Sequence, residues 1–244
     1  MFRNIIKDVK NANKYRKAAA HLAEEEYEEA IALCNELMED DFIGFCHGYG
    51  VRAACYHDLE MYEKAITDAT KALEHDFHLA YGIRASSYHN LEKYEEAIAD
   101  VTSAFEFETG DMDDIYVRGY SYFEIGKYDE ALEDVKTYLS ADEDEITDIG
   151  TCIFLYYSAL IHNHKGDLEA AASDIERFFS VLEEFKNLDG YSDVMAAMQR
   201  AIHNMEEMRK AIKEGVPYIS FPEGDMSVER RLRKVISINR TKQG

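Results

Sequence analysis

Two stretches decide the fold: YGIRASSYHNLEKYEEAIADVTSAFEF at 81–107 and IYVRGYSYFEIGKYDEALEDVKTYL at 115–139. Each holds a tyrosine followed three residues later by an alanine, Tyr94-Ala97 and Tyr128-Ala131. Working outward, the same pairing recurs at Tyr27-Ala30 and Tyr62-Ala65 and, with leucine in the first place, at Leu168-Ala171. Successive alanines lie 35, 32, 34 and 40 residues apart. Internal self-similarity at such a period marks stacked helical hairpins, in which each unit buries its apolar face only against its neighbours.

The register extends beyond the anchor. A small residue stands twelve positions before each alanine (Ala18, Ala53, Ala85, Gly119, Ala159), and a ring stands nine before it (His21, Tyr56, Tyr88, Tyr122, His162). Apolar residues return four and seven positions after it, as in Val101 and Ala104 or Ile175 and Phe178. That is the spacing of one helix face. The pattern predicts two short antiparallel helices per repeat, with the paired small residues letting their backbones approach closely. Gly126 and Gly166, between the two helices, suit the left-handed residue that closes a helix.

In this register the chain resembles the tetratricopeptide repeat family over residues 11–181, and in particular its Arg-Gly variant common in bacterial members. The resemblance implies an all-α, right-handed superhelical solenoid of about five hairpins, at 11–44, 46–77, 78–109, 112–145 and 152–185, with an N-terminal helix and a C-terminal capping helix. The family's proline at the end of the second helix is absent, its place held by Phe42, Phe77 or Thr109, and its tryptophan is replaced by Tyr49 and Tyr81.

Around the array, residues 1–12 read as a separate amphipathic helix with Phe2, Ile5, Ile6 and Val9 on one stripe. The acidic run 142–148 reads as a solvated insertion in the fourth linker. Residues 186–215 read as the capping helix, started by Ser192 and carrying Val194, Met198, Ala201, Met205, Met208 and Ile212 on one face. Gly215 and Pro217 stop it, and 216–244 form a linker and a basic tail. No run of 18 apolar residues or secretory core is present, and the four cysteines lack metal or redox spacing. Together these predict a reduced, cytoplasmic protein.

Charge is unevenly placed. Residues 1–17 and 226–244 each carry +5, which leaves −32 on residues 18–225 of a chain whose total is −22. A body of that sign repels nucleic acid and anionic membranes and attracts basic partners. Four fates are open to the basic tail: solvated and loose, docked on its own acidic surface, bound to a neighbouring copy, or in contact with a membrane, with membrane contact less favoured than a loose or self-docked tail.

Arg52, Arg84 and Arg118 recur in the first helices, and Asp68, Asp100, Asp134 and Asp174 recur three residues after the anchor alanines. A ladder of anion-binding arginines is one reading; pairing of each arginine with a framework aspartate is the better one, because a partly buried guanidinium needs a carboxylate fork. The resemblance further implies that first helices line a concave groove. Carried over position by position, the groove residues are Tyr15, Ala19 and Leu22; Gly50, Ala54, His57 and Asp58; Gly82, Ser86, His89 and Asn90; Tyr116, Tyr120, Phe123 and Glu124; and Tyr156, Leu160, Asn163 and His164. Gly50 and Gly82 would open room for a bound chain, and the tyrosines would supply amphipathic anchors. The lysine-asparagine-arginine set that grips a terminal carboxylate in chaperone-binding members is missing.

Catalytic motifs are absent, no cofactor is implied, and the equivalent positions of His57 and His89 are read as a chance alignment along a helical array rather than as a metal site. The expectation is a non-enzymatic scaffold that holds a basic or apolar protein or peptide in its groove. The alternative is a self-assembling or auto-occluded protein whose basic ends engage its own acidic body.

Overall fold

The computed structural model describes residues 2–39, 45–142, 148–184 and 191–218. Among these residues the chain is helical throughout, with no strand. The helices are α1 (Phe2–Ala23), α2 (Tyr27–Glu39), α3 (Phe45–Asp58), α4 (Tyr62–Leu73), α5 (Ala80–Asn90), α6 (Tyr94–Glu106), α7 (Met112–Glu124), α8 (Tyr128–Leu139), α9 (Asp148–Lys165), α10 (Leu168–Glu184) and α11 (Tyr191–Lys213). The chain divides into two compact units, Met1–Lys127 and Tyr128–Gly244, a division that falls inside the fourth expected repeat.

In the first unit α1 packs on α2, α3 on α4 and α5 on α6, while α1, α3, α5 and α7 contact one another in succession. The core shows why the period is needed. Ala18, Ala30 and Cys34 of the first hairpin are buried with Val51 and Cys55 of α3. Ala53, Ala69 and Ala72 of the second are buried with Ala80 of α5. Ala85, Ala97 and Val101 of the third are buried with Val117 of α7. No hairpin closes its own interior; the next first helix completes it. The anchor alanines are all but inaccessible to solvent. Their small side chains let paired helices approach more closely than leucines would.

One turn design links the helices of each hairpin. The backbone N–H groups of Glu26, Met61, Lys93 and Lys127 donate five residues back to the carbonyls of His21, Tyr56, Tyr88 and Tyr122, at 2.7–2.9 Å. This is the Schellman closure, which needs a left-handed residue. Gly126 supplies it at φ 74° and, in the second unit, Gly166 at φ 77°; Glu25, Glu60 and Glu92 supply it at φ 59–61°.

The separate helix expected at 1–12 is not separate. Residues 2–23 contain neither glycine nor proline, and α1 runs through them unbroken. At 22 residues it is longer than the 13-residue α2, and Val9 is 56% exposed.

In the second unit α8 packs on α9, α9 on α10 and α10 on α11. Helix α11 buries Met198, Ala201, Met205 and Met208. It begins at Tyr191, which puts Ser192 inside the helix rather than before it. Residues 143–147 of the acidic run and the basic tail 226–244 lie outside the described residues.

Candidate functional site

Two of the recurrent arginines, Arg52 and Arg84, are held on three sides. Arg52 donates from Nε and Nη2 to the two oxygens of Asp68 at 2.6 and 2.8 Å, and Arg84 does the same to Asp100 at 2.7 Å for both bonds. The remaining Nη1 crosses to the preceding hairpin, from Arg52 to Asn35 and from Arg84 to Thr70 Oγ1 at 3.1 Å. Tyrosine rings flank each guanidinium, Tyr49 and Tyr56 at 5.6 and 5.7 Å, Tyr81 and Tyr88 at 5.7 and 6.0 Å. The bidentate bond to Asp68 or Asp100 raises the guanidinium pKa further above its ordinary value, against the effect of burial. With fork, cross-link and rings all engaged, these cations fasten consecutive hairpins instead of waiting for an anion. Arg118 lies over Phe105 at 5.5 Å. In the second unit Ser158 stands where an arginine would, and the carboxylate of Asp174 meets His162 Nδ1 at 2.8 Å. Asp134 is buried there.

Of the expected groove residues in the first unit, Tyr15, His57, Ser86, Asn90, Tyr116, Phe123 and Glu124 are half-buried and Asp58 is exposed. His89 and Tyr120 depart from the expectation: each is 1% exposed, their rings 4.7 Å apart, and they belong to the interior. A hydrogen bond explains the histidine. Ser121 Oγ gives its one proton to Val117 O at 2.7 Å, so the 2.9 Å contact with His89 Nδ1 requires the imidazole to donate. The same arrangement joins His57 Nδ1 to Ser87 Oγ, with Ser87 donating to Ile83 O. Both histidines therefore tie one first helix to the next.

The glycines also depart from expectation. A Cβ on Gly50 would lie 2.3 Å from the Phe77 ring, and one on Gly82 would lie 2.7 Å from the Asp114 carboxylate. The space they leave is filled by the chain's own side chains, not held open for a partner. Asp114 pairs with Asp111 in a capping box at the start of α7. Its pKa is pushed up to about 7, first by burial and then by the Asp111 charge.

In the second unit the expected groove face of α9 is covered. Asn204 of α11 donates to Tyr156 Oη at 2.8 Å, Leu160 is buried, and Asn163 is hydrogen-bonded to the main chain of Tyr218. His164 remains exposed beside the Tyr128 ring. The sequence offered no sign of the Tyr218 contact, which spans 55 residues, or of the cross-links through Asn35 and Thr70.

Burial pushes the thiols of Cys34 and Cys55 up to about 12, which leaves them protonated and inert. Among the described residues only His21, Glu24 and Glu26 bring three ligand atoms within 4.8 Å of one another. These groups lie at the surface, and the imidazole is already engaged with Glu26. No helix among the described residues is long and apolar enough to cross a membrane. A family model described as tetratricopeptide repeat matches residues 78–108 and 115–145. No curated protein matches the chain.

Proposed function

We propose, from the match of residues 78–108 and 115–145 to the tetratricopeptide repeat family, that the chain is a non-enzymatic adaptor that holds a basic or apolar segment of another protein. Tetratricopeptide repeats generally mediate protein–protein interactions and are typically non-catalytic scaffolds. The observation that supports this reading is the unbroken succession α1, α3, α5, α7. It sets Tyr15, His57, Asp58, Ser86, Asn90, Tyr116, Phe123 and Glu124 on consecutive first helices, half-buried or exposed. Half-buried aromatic rings beside carboxylates suit an amphipathic basic peptide: the rings bury its apolar groups while Asp58 and Glu124 meet its cations. His89 and Tyr120 support that surface from beneath. Nucleic acid is disfavoured as a partner by the −22 total charge.

The test is affinity capture by the full chain against an Asp58→Lys, Glu124→Lys double variant. Asp58 is exposed and Glu124 half-buried, and an unaltered circular dichroism spectrum checks that the variant keeps the fold. Basic partners should be lost from the variant. Recovery of the same proteins by both chains would remove this surface from the reading. A second reading, self-occlusion, is favoured by the contact between Asn163 and Tyr218.

A further inference from the structure

Asn163 on α9 is 2% exposed, and both ends of its amide are engaged by one residue of the same chain. Its Nδ2 donates to the Tyr218 carbonyl at 2.8 Å, and its Oδ1 accepts from the Tyr218 N–H at 2.8 Å. One side-chain amide thus answers the donor and the acceptor of one main-chain residue, which is strand pairing in miniature. Such a contact reads backbone, so its partner must be extended but need not have any particular side chain.

The local sequence delivers an extended partner. Gly215, at φ 74°, ends α11, and Pro217 prevents helix from resuming and favours extended geometry at Val216. Tyr218 then arrives with its N–H and C=O uncommitted to any helix. A buried amide left without partners is costly. An emptied Asn163 would therefore favour refilling, by this segment or by another chain.

We propose that Asn163 is a main-chain-gripping site for an extended polypeptide, and that residues 216–218 of the same chain occupy it as an internal stand-in that must leave before an external backbone can enter. The inference rests on reading the first-helix faces as polypeptide-binding surfaces. It adds which residue grips, what it grips and what holds it shut.

The experiment keeps the full chain and uses a fluorescein-labelled peptide with the sequence of residues 214–224. Tyr218→Pro deletes the N–H that Asn163 accepts from and leaves Asn163 intact. The labelled peptide should bind this variant about tenfold more tightly than the unmodified chain, the loss of one competing hydrogen bond. Adding Asn163→Ala should abolish that gain. In the unmodified chain the Tyr218 amide should exchange at least about tenfold more slowly than in the free peptide, a protection that needs no variant to fold. No gain in the proline variant, a gain that survives Asn163→Ala, or an unprotected Tyr218 amide would each overturn the proposal. The Asp58→Lys, Glu124→Lys variant separates the two readings: if it still captures the same proteins while the peptide titrations behave as stated, the adaptor surface fails and the internal occupant stands.

Discussion

Asp114 is a carboxyl group in a place that favours its neutral form. It closes the capping box of α7 with Asp111 and fills the gap beside Gly82. Burial, with the Asp111 and Asp113 charges adding to it, outweighs the Asp111 N–H and Arg118, and its pKa stands at about 7 instead of 3.8. The folded chain therefore holds this proton more tightly than the unfolded chain does. The group costs nothing below pH about 4. Stability then falls as pH rises toward 7, where the fold must house a charge it disfavours. Across that window the expected loss is as much as about 4 kcal/mol. Urea unfolding of the full chain and of Asp114→Asn, compared from pH 4 to 7, should show a steeper decline in the unmodified chain. Parallel declines would mean that Asp114 ionises freely in the fold.

At the scale of the element, the hairpin turns carry a conformational cost that the sequence distributes unequally. The left-handed residue is glycine at 126 and 166 but glutamate at 25, 60 and 92. An L-residue in that region costs about 1–2 kcal/mol, against about 0.5–1 kcal/mol of extra chain entropy lost by glycine. Glu60→Gly and Glu92→Gly, at exposed positions, should each stabilise the first unit by roughly 0.5–1 kcal/mol and raise its thermal midpoint. A lowered midpoint would mean that the glutamate side chains contribute more than the backbone loses. These turns also show what the sequence makes legible. Small residues and rings recur at fixed offsets because every hairpin must solve the same packing problem, so helices, turns and buried alanines are visible from spacing alone. The arginine forks follow from the same period. Contacts that occur once leave no period to find: Phe77 against Gly50, Asp114 against Gly82, and Asn163 with Tyr218. For that reason the expected groove was partly misplaced. Glycines look like free space in a sequence, and only the fold shows whose side chain fills it.

At the scale of the whole molecule, charge is the dominant unsolved problem. The first unit carries −13 and the second −9, and the exposed ion pairs that offset this, such as Lys14 with Glu36 or Arg209 with Glu176, each contribute only about 0–1 kcal/mol. Like charges confined to a compact unit repel, and unfolding lets them separate. The forks at Arg52 and Arg84 respond little to salt, because their carboxylates are buried and the partners are in direct contact. Repulsion among surface carboxylates acts over longer distances. It is reduced when the screening length falls from about 30 Å at 0.01 M salt to about 8 Å at 0.15 M. Net self-repulsion and short-range attraction thus differ in their sensitivity to salt, and the balance can be measured. Raising sodium chloride over that range at pH 7 should raise the melting temperature of the full chain by a few degrees, roughly 1 kcal/mol of stabilisation. A decrease would show that surface ion pairs outweigh the repulsion. In that case the acidic excess would have to be neutralised locally, and its pull on basic partners would be correspondingly weak.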